Sequence, residues 1–305
     1  LNNYWKSILE NFLADQSGDW EPETEAWYSR RLRPFFAYLE GEAITVAADI
    51  NIRHIKRFFA SQKKLKRSWS TRNGNHTSIG VLFRWFKDEH HTTINVFAEA
   101  GLKRPRRPKR KKRTIPLHYI QRMIEACENE TTIISIRDAA IMRLLISTGL
   151  RREEICNLNQ VDIDLIDKEM RIVGKYDDER DGFPDNAALD AVQTWLYARP
   201  ETSDPALFVS TKGNGVCPPY RRLSANAINR VTDRWKSAAH IPASVNVSPH
   251  KWRHTFATHY AANGGNAFEL RDLLGHSDIR TTEIYVETDK KILRRKTDKF
   301  APKIS

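Results

Sequence analysis

Along the first hundred residues, apolar side chains recur every three or four positions, the spacing of a helix with one buried face. Tyr4, Trp5, Ile8, Leu9 and Phe12 form one stripe, and Trp27, Leu32, Phe35, Phe36 and Leu39 form a second. Ile52, Ile55, Phe58 and Phe59 make a third, and Ile79, Leu82, Phe83 and Phe86 a fourth. No strand-like alternation interrupts them, so residues 1–100 read as a helical domain. The polar side of the third stripe and the segment after it are basic: Arg53, Lys56, Arg57, Lys63, Lys64, Lys66 and Arg67. Ordinary solvated helix surface accounts for such charges. A DNA-facing surface accounts for them together with the run that follows.

Between Gly101 and Pro116 the periodic pattern stops. Lys103, Arg104, Arg106, Arg107, Lys109, Arg110, Lys111, Lys112 and Arg113 crowd together with Pro105 and Pro108. Proline lacks the helix donor and like charges repel, so residues 101–115 are expected to be an extended, exposed linker. Such a run suits a path along phosphates, releasing their counterions. Residues 116–305 then form a mixed domain. Helices are expected at about 117–128 and 136–148, the second closed by Gly149 in the left-handed conformation. Met170–Val173 begins a hairpin that returns near Arg180–Pro184, and Ala206–Val209 suggests a third strand. From Ser224 to about Phe300 the pattern is helical again.

Composition narrows the partners. The 305 residues carry a formal net charge of +12, which implies a polyanion, nucleic acid before an anionic membrane. No apolar run approaches the ~20 residues of a membrane helix. No secretory leader is evident, and the opening Leu1 suggests a trimmed start. Cys127, Cys156 and Cys217 stand far apart with no paired motif, which points to a reducing compartment and away from a zinc module.

Three segments carry candidate chemistry. In Ser147-Thr148-Gly149-Leu150-Arg151-Arg152-Glu153-Glu154, Gly149 stops one helix and leaves Arg151 at the mouth of the next, where the dipole favours an anion. Simple helix punctuation is the competing explanation. In Ser248-Pro249-His250-Lys251-Trp252-Arg253-His254, Ser248 and Pro249 suit a helix start, and His250 and Arg253 are three apart and share a face. Trp252, Phe256, His259 or Tyr260, and Asn263 mark the core-directed stripe. His250 and His254 also have metal-ligand spacing, but no carboxylate motif or cysteine pair completes a site. In Leu273-Leu274-Gly275-His276, the leucines bury a helix that Gly275 ends, and Tyr285 follows on a new helix.

Together these segments closely resemble the tyrosine recombinases, particularly Xer-type recombinases and phage integrases. The family's T-G-L-R-x-x-E box is matched by Arg151 with Glu154, its hairpin lysine by Lys175, and its H-x-x-R box by His250 with Arg253. Its L-G-H box is matched at His276 and its C-terminal tyrosine at Tyr285. One departure is the acidic stretch Asp177-Asp178-Glu179 just after Lys175, where relatives carry more glycine and basic residues. The resemblance implies a mainly α fold with a small antiparallel sheet in the catalytic domain, closing with the N-terminal domain as a C-shaped clamp on DNA. It implies an enzyme that cleaves and rejoins DNA strands through a 3′-phosphotyrosine, in integration, excision or resolution. Tyr285 would be the nucleophile, and Arg151, Arg253 and His276 would bind the phosphate. His250 would act as base and Lys175 as acid, while Glu154 would brace an arginine.

The resemblance implies no cofactor and no metal. Its partners would be double-stranded recombination sites, further copies of the chain (a tetramer at synapsis, a monomer when free) and accessory DNA-binding proteins. The location would be the cytoplasm, at the nucleoid when on DNA. Arg53, Lys56, Arg57, Lys63, Lys64, Arg67, Arg106, Arg107, Lys109, Arg110 and Lys111 are the candidate DNA contacts. Two rival functions share the fold: a type IB topoisomerase and a non-catalytic DNA-binding protein.

Overall fold

In a computed structural model of the chain, the described residues are 1–108, 113–174, 178–211 and 220–275. They belong to two compact units, Leu1–Lys111 and Lys112–Ser305. Among them no helix is long and apolar enough to cross a membrane.

The first unit is helical throughout: α1 (Asn3–Gln16), α2 (Pro22–Gly41), α3 (Ile52–Lys64), α4 (Trp69–Asp88) and the short α5 (Val96–Glu99). The four apolar stripes meet in one aromatic core. Trp5 stacks on Phe36 with centroids 5.1 Å apart, and Phe35 meets Phe58 edge-on at 5.1 Å. Asn51 caps α3 through its side chain and Ser68 caps α4, each taking amide donors that the first turn leaves orphaned. Arg53, Lys56, Arg57, Lys63, Lys64 and Arg67 are all exposed.

The basic run begins as a strap on α4. His76 Nε2 lies 3.0 Å from the Leu102 carbonyl, and Trp69 Nε1 donates to the Pro105 carbonyl at 2.9 Å. Arg104 donates to Asn73 and Thr77, and the Arg107 guanidinium lies over the Trp69 ring. Arg106 and Arg107 are exposed; Lys109, Arg110 and Lys111 lie outside the described residues.

The second unit is organised around α7 (Ile133–Thr148), buried on nearly every side by α6 (Leu117–Glu128), α9 (Asn186–Ala198), α10 (Ala225–Ala238) and α11 (Pro249–Ala262). The helix starts three residues earlier than its apolar spacing suggests, because Thr132 caps it by accepting from the Ser135 amide. Helix α9 has no counterpart in the elements read from the sequence, although Leu189, Val192 and Trp195 give it a buried stripe. The sheet is antiparallel in the order β1 (Ile163–Asp164), β2 (Glu169–Val173), β3 (Glu179–Gly182).

Ala206–Val209 is therefore not the third strand; it makes only single bridges, to Asn159 and Arg222. The reason lies in its carbonyls, three of which side chains occupy, while that of Phe208 accepts the Leu223 amide. Arg199 takes that of Ala206, Trp195 that of Leu207 and Arg137 that of Val209. All four residues of the segment are buried.

Inside this unit Asp138 is fully buried. Arg137 donates to one of its oxygens, and Arg234 and Trp235 Nε1 donate to the other. Removing that carboxylate strands the buried Arg137. Asp138→Ala is therefore expected to cost about 3–5 kcal/mol of stability, the scale of a broken buried ion pair. Urea denaturation of the full chain measures this, and a loss below about 1 kcal/mol contradicts it.

Candidate active site

The three chemistry-bearing segments converge through backbone turns. At the end of α7, Gly149 takes φ +66° and reverses the chain. A Cβ there would lie 2.4 Å from Phe256 of α11, so the turn is pressed flat against that helix. Two residues on, Arg151 caps the short helix α8 (Arg152–Asn157). The helix mouth is occupied from within: Glu154 Oε2 accepts the Arg151 backbone N–H at 2.7 Å.

Glu154 is the hub. It is 4% exposed, and its Oε1 accepts from Arg151 Nη1 at 2.6 Å and from Arg180 Nη1 at 2.9 Å. Its Oε2 accepts from Arg180 Nη2 at 2.8 Å and lies 3.9 Å from Arg253 Nη1. Burial pushes this carboxyl's pKa up, but the hydrogen bonds and charge of Arg180, then the backbone and charge of Arg151, outweigh it. The pKa falls to about 2. Among the described residues, three guanidiniums thus surround this one carboxylate.

The same arginines close the end of α12 (Ala267–Leu274). Arg180 Nε donates to the Leu273 carbonyl at 3.0 Å, Arg253 Nη2 to Leu274 at 2.5 Å and Arg151 Nη2 to Gly275 at 2.9 Å. A helix leaves its last carbonyls without partners and carries its negative dipole end there, so cations stabilise it. Gly275 turns the chain at φ +58°. A Cβ on it would meet the Arg180 guanidinium at 3.1 Å.

Arg253 sits on α11, buried, with Nη1 also donating to the Gly149 carbonyl at 2.8 Å. His250, one turn earlier, is exposed, so the two do not share one environment despite their spacing. The buried side of α11 departs from the stripe expected from Trp252, Phe256, His259 or Tyr260, and Asn263: Asn263 is exposed at the C-cap, and Phe256, His259 and Tyr260 are only half-buried. That side takes in Arg253, His254, Thr255, Ala257 and Ala261, because Thr255 accepts the Ile115 amide and the helix packs on α7. Ser248 stands at the N-cap without a side-chain cap bond, and Pro249 holds the first position. Among the described residues, no three His, Cys, Asp or Glu side chains gather as a metal site. Lys175, His276 and Tyr285 lie outside the described residues.

The structure thus brings Arg151, Glu154 and Arg253 together, and adds Arg180, which the sequence reading placed only in a strand. The available signal was alternation: Arg180 and Gly182 share a face, and Gly182 packs on Met170 and Ile172 of the buried side of β2. An arginine on an inward face needs an anion.

Two outcomes follow from this packing. Gly149→Ala forces an L side chain into the left-handed region and onto Phe256. We expect a loss of at least about 1–2 kcal/mol from backbone strain alone, read from thermal or urea unfolding; an unchanged midpoint contradicts it. For Glu154, the folded pKa of about 2 lies below the ordinary 4.5, so its stabilising effect is complete above pH 4.5 and fades as pH falls towards 2. The stability gap between wild type and Glu154→Gln should therefore narrow across that window. A gap that stays constant with pH is the contrary result.

Residues 113–291, more than half of the chain, match the model of the phage integrase family. The tyrosine recombinase XerC of Alcanivorax borkumensis is 30% identical over 246 residues, covering 79% of this chain and 76% of that protein. The XerC of Corynebacterium glutamicum reaches 38% identity over 170 residues, 55% of this chain and 52% of its own. Among solved structures, a lambda integrase dimer bound to a COC′ core site aligns with a TM-score of 0.71 at 16% identity, covering 98% of this chain and 79% of that one. That last likeness is one of fold: mainly α with a small antiparallel sheet. The chain belongs to the phage integrase family, and it is a site-specific tyrosine recombinase that cleaves and rejoins DNA strands through a phosphotyrosine.

Proposed function

We propose that the reaction is carried by Arg151, Lys175, His250, Arg253, His276 and Tyr285, with Glu154 in support. The observation behind this reading is the arginine cluster: Arg151 and Arg253 are anchored through Glu154 and the end of α12, one residue before His276. A phosphodiester repels nucleophiles with its own negative oxygens, so cations held in place beforehand lower the barrier as charge builds. Arg151, with a side chain 39% exposed, presents its guanidinium at the surface of this cluster. Planar forks of this kind match non-bridging phosphate oxygens.

Tyr285 attacks the phosphorus as nucleophile. Ionising a phenol of ordinary pKa near 10 at pH 7 costs roughly 4 kcal/mol, which the arginines and His250 as base offset. Lys175 protonates the departing 5′ oxygen, leaving a 3′-phosphotyrosine. The covalent link keeps the energy of the broken bond, so rejoining consumes no nucleotide.

The partners in this reading are two duplex recombination sites. Residues 1–100 and 116–305 grip each one as a clamp, with linker 101–115 along the backbone. Exposed Arg53, Lys56, Arg57, Lys63, Lys64, Arg67, Arg106 and Arg107, with Lys109, Arg110 and Lys111, supply phosphate contacts. Four copies assemble at synapsis from free monomers, with accessory DNA-binding proteins setting direction, in the cytoplasm at the nucleoid. The charge of +12 supports the DNA contacts. So does the solved lambda integrase, whose dimer is bound to a core site.

A nicked suicide duplex tests the assignment of the nucleophile. Wild type should form a covalent adduct that resists denaturation, and Tyr285→Phe should form none while still binding the duplex. An adduct on Tyr285→Phe places the nucleophile elsewhere. Arg151→Ala should lower single-turnover cleavage by at least about 100-fold with duplex affinity within a few fold, since it removes a donor to the developing charge. Equal losses in both would make Arg151 a binding residue only.

A further inference from the structure

Arg180 stands outside the boxes that carry the family resemblance, yet it grips a residue within them, Glu154. Its Nη1 and Nη2 donate to the two oxygens of Glu154 at 2.9 and 2.8 Å, and its Nε donates to the Leu273 carbonyl at 3.0 Å. Arg151 uses those same two oxygens, one for its side chain and one for its backbone N–H. The plane in which Glu154 lies therefore fixes the Arg151 guanidinium, and a two-pronged contact from Arg180 is what sets that plane. Arg180 cannot drift: its side chain is only 10% exposed, and it sits on β3 opposite Ile172 in the register. Two residues on, Gly182 is held so close to β2 that a Cβ would lie 2.6 Å from the Ile172 side chain.

We propose that Arg180 is a positioning residue for strand cleavage: it fixes the Glu154 carboxylate and the end of α12, and through them aims the Arg151 guanidinium at the scissile phosphate. This rests on Arg151 being a phosphate-binding group. Lysine cannot substitute, because a single ammonium cannot span two carboxylate oxygens and a carbonyl in one plane. A salt bridge that merely stapled β3 to α8 would instead be read out in stability, and any cation of adequate reach would serve.

The test compares Arg180→Lys, Arg180→Met, Glu154→Gln and the double variant Glu154→Gln/Arg180→Met in the full chain, with Arg151→Ala alongside. Each is measured for folding by circular dichroism, for duplex affinity, and for single-turnover cleavage of a nicked suicide duplex. Arg180→Lys should fold and bind within a few fold of wild type but cleave roughly 100-fold more slowly, the scale of a 1 Å misplacement of reacting groups. Methylguanidinium added to Arg180→Met should restore part of the rate. The double variant, which removes the buried Glu154–Arg180 pair together and so tolerates folding better than Arg180→Met, should cleave no more slowly than Glu154→Gln alone.

The pH profile supplies another readout. Without Arg180, burial is opposed by fewer bonds and Glu154 takes up a proton more readily, so the ratio of Arg180→Met to wild-type cleavage should fall as pH is lowered, the titration of His250 being common to both. Arg180→Lys cleaving at the wild-type rate, or a double variant whose losses multiply, overturns the proposal. If Arg151→Ala also cleaves normally, the reading of the phosphate site fails instead. Should Arg180→Met not fold, the lysine variant and the double variant decide the matter.

Discussion

Glu154 is a carboxylate with almost no water around it, and it stays charged only because guanidiniums surround it. Burial of a lone carboxylate is costly and normally ends in protonation. Here Arg180 and Arg151 contribute four hydrogen bonds and Arg253 adds charge at 3.9 Å, so the ionised form prevails. The cluster is mutually dependent: the carboxylate makes it possible to hold three arginines close together, and the arginines make it possible to bury the carboxylate. Elements far apart in sequence, α8, β3, α11 and the end of α12, are joined by this one ionic knot.

In the proposed reaction its value lies in what does not have to move. A side chain that reorganises during reaction dissipates much of the benefit of its charge, whereas donors fixed in advance deliver it in full. The three carbonyls at the end of α12 extend the same economy to the backbone, because each takes a different arginine. Gly275 and the end of α12 are therefore tied to the arginines proposed to bind the phosphate. Gly149 and Gly275 allow this closeness: at both, a side chain would meet Phe256 or Arg180.

Much of this was legible in the sequence, for identifiable reasons. The four long helices of the first unit followed from apolar spacing because aromatic stripes such as Trp5-Phe12 and Phe35-Leu39 each face one core; the short α5 did not. The roles of Gly149 and Gly275 followed from their place after apolar runs. What stayed hidden depended on long-range pairing. Ala206–Val209 has the composition of a strand, but three of its four carbonyls are claimed by Arg199, Trp195 and Arg137, and no local pattern announces that. Arg180 was seen only as part of a hairpin, since its partner Glu154 is 26 residues away and on a helix. The buried face of α11 was misplaced because Arg253 and His254, polar by type, are enclosed by neighbouring elements.

Glu154 is held ionised by its arginines, and the most direct measurement of this watches the carboxyl itself. In full-length protein carrying ¹³C-labelled glutamate, with Glu154→Gln identifying the resonance, the carboxyl carbon should show no titration step until the pH approaches about 2. A midpoint at 4.5 or above would mean that the arginines do not grip it and that the cluster does not hold together as an ionic knot.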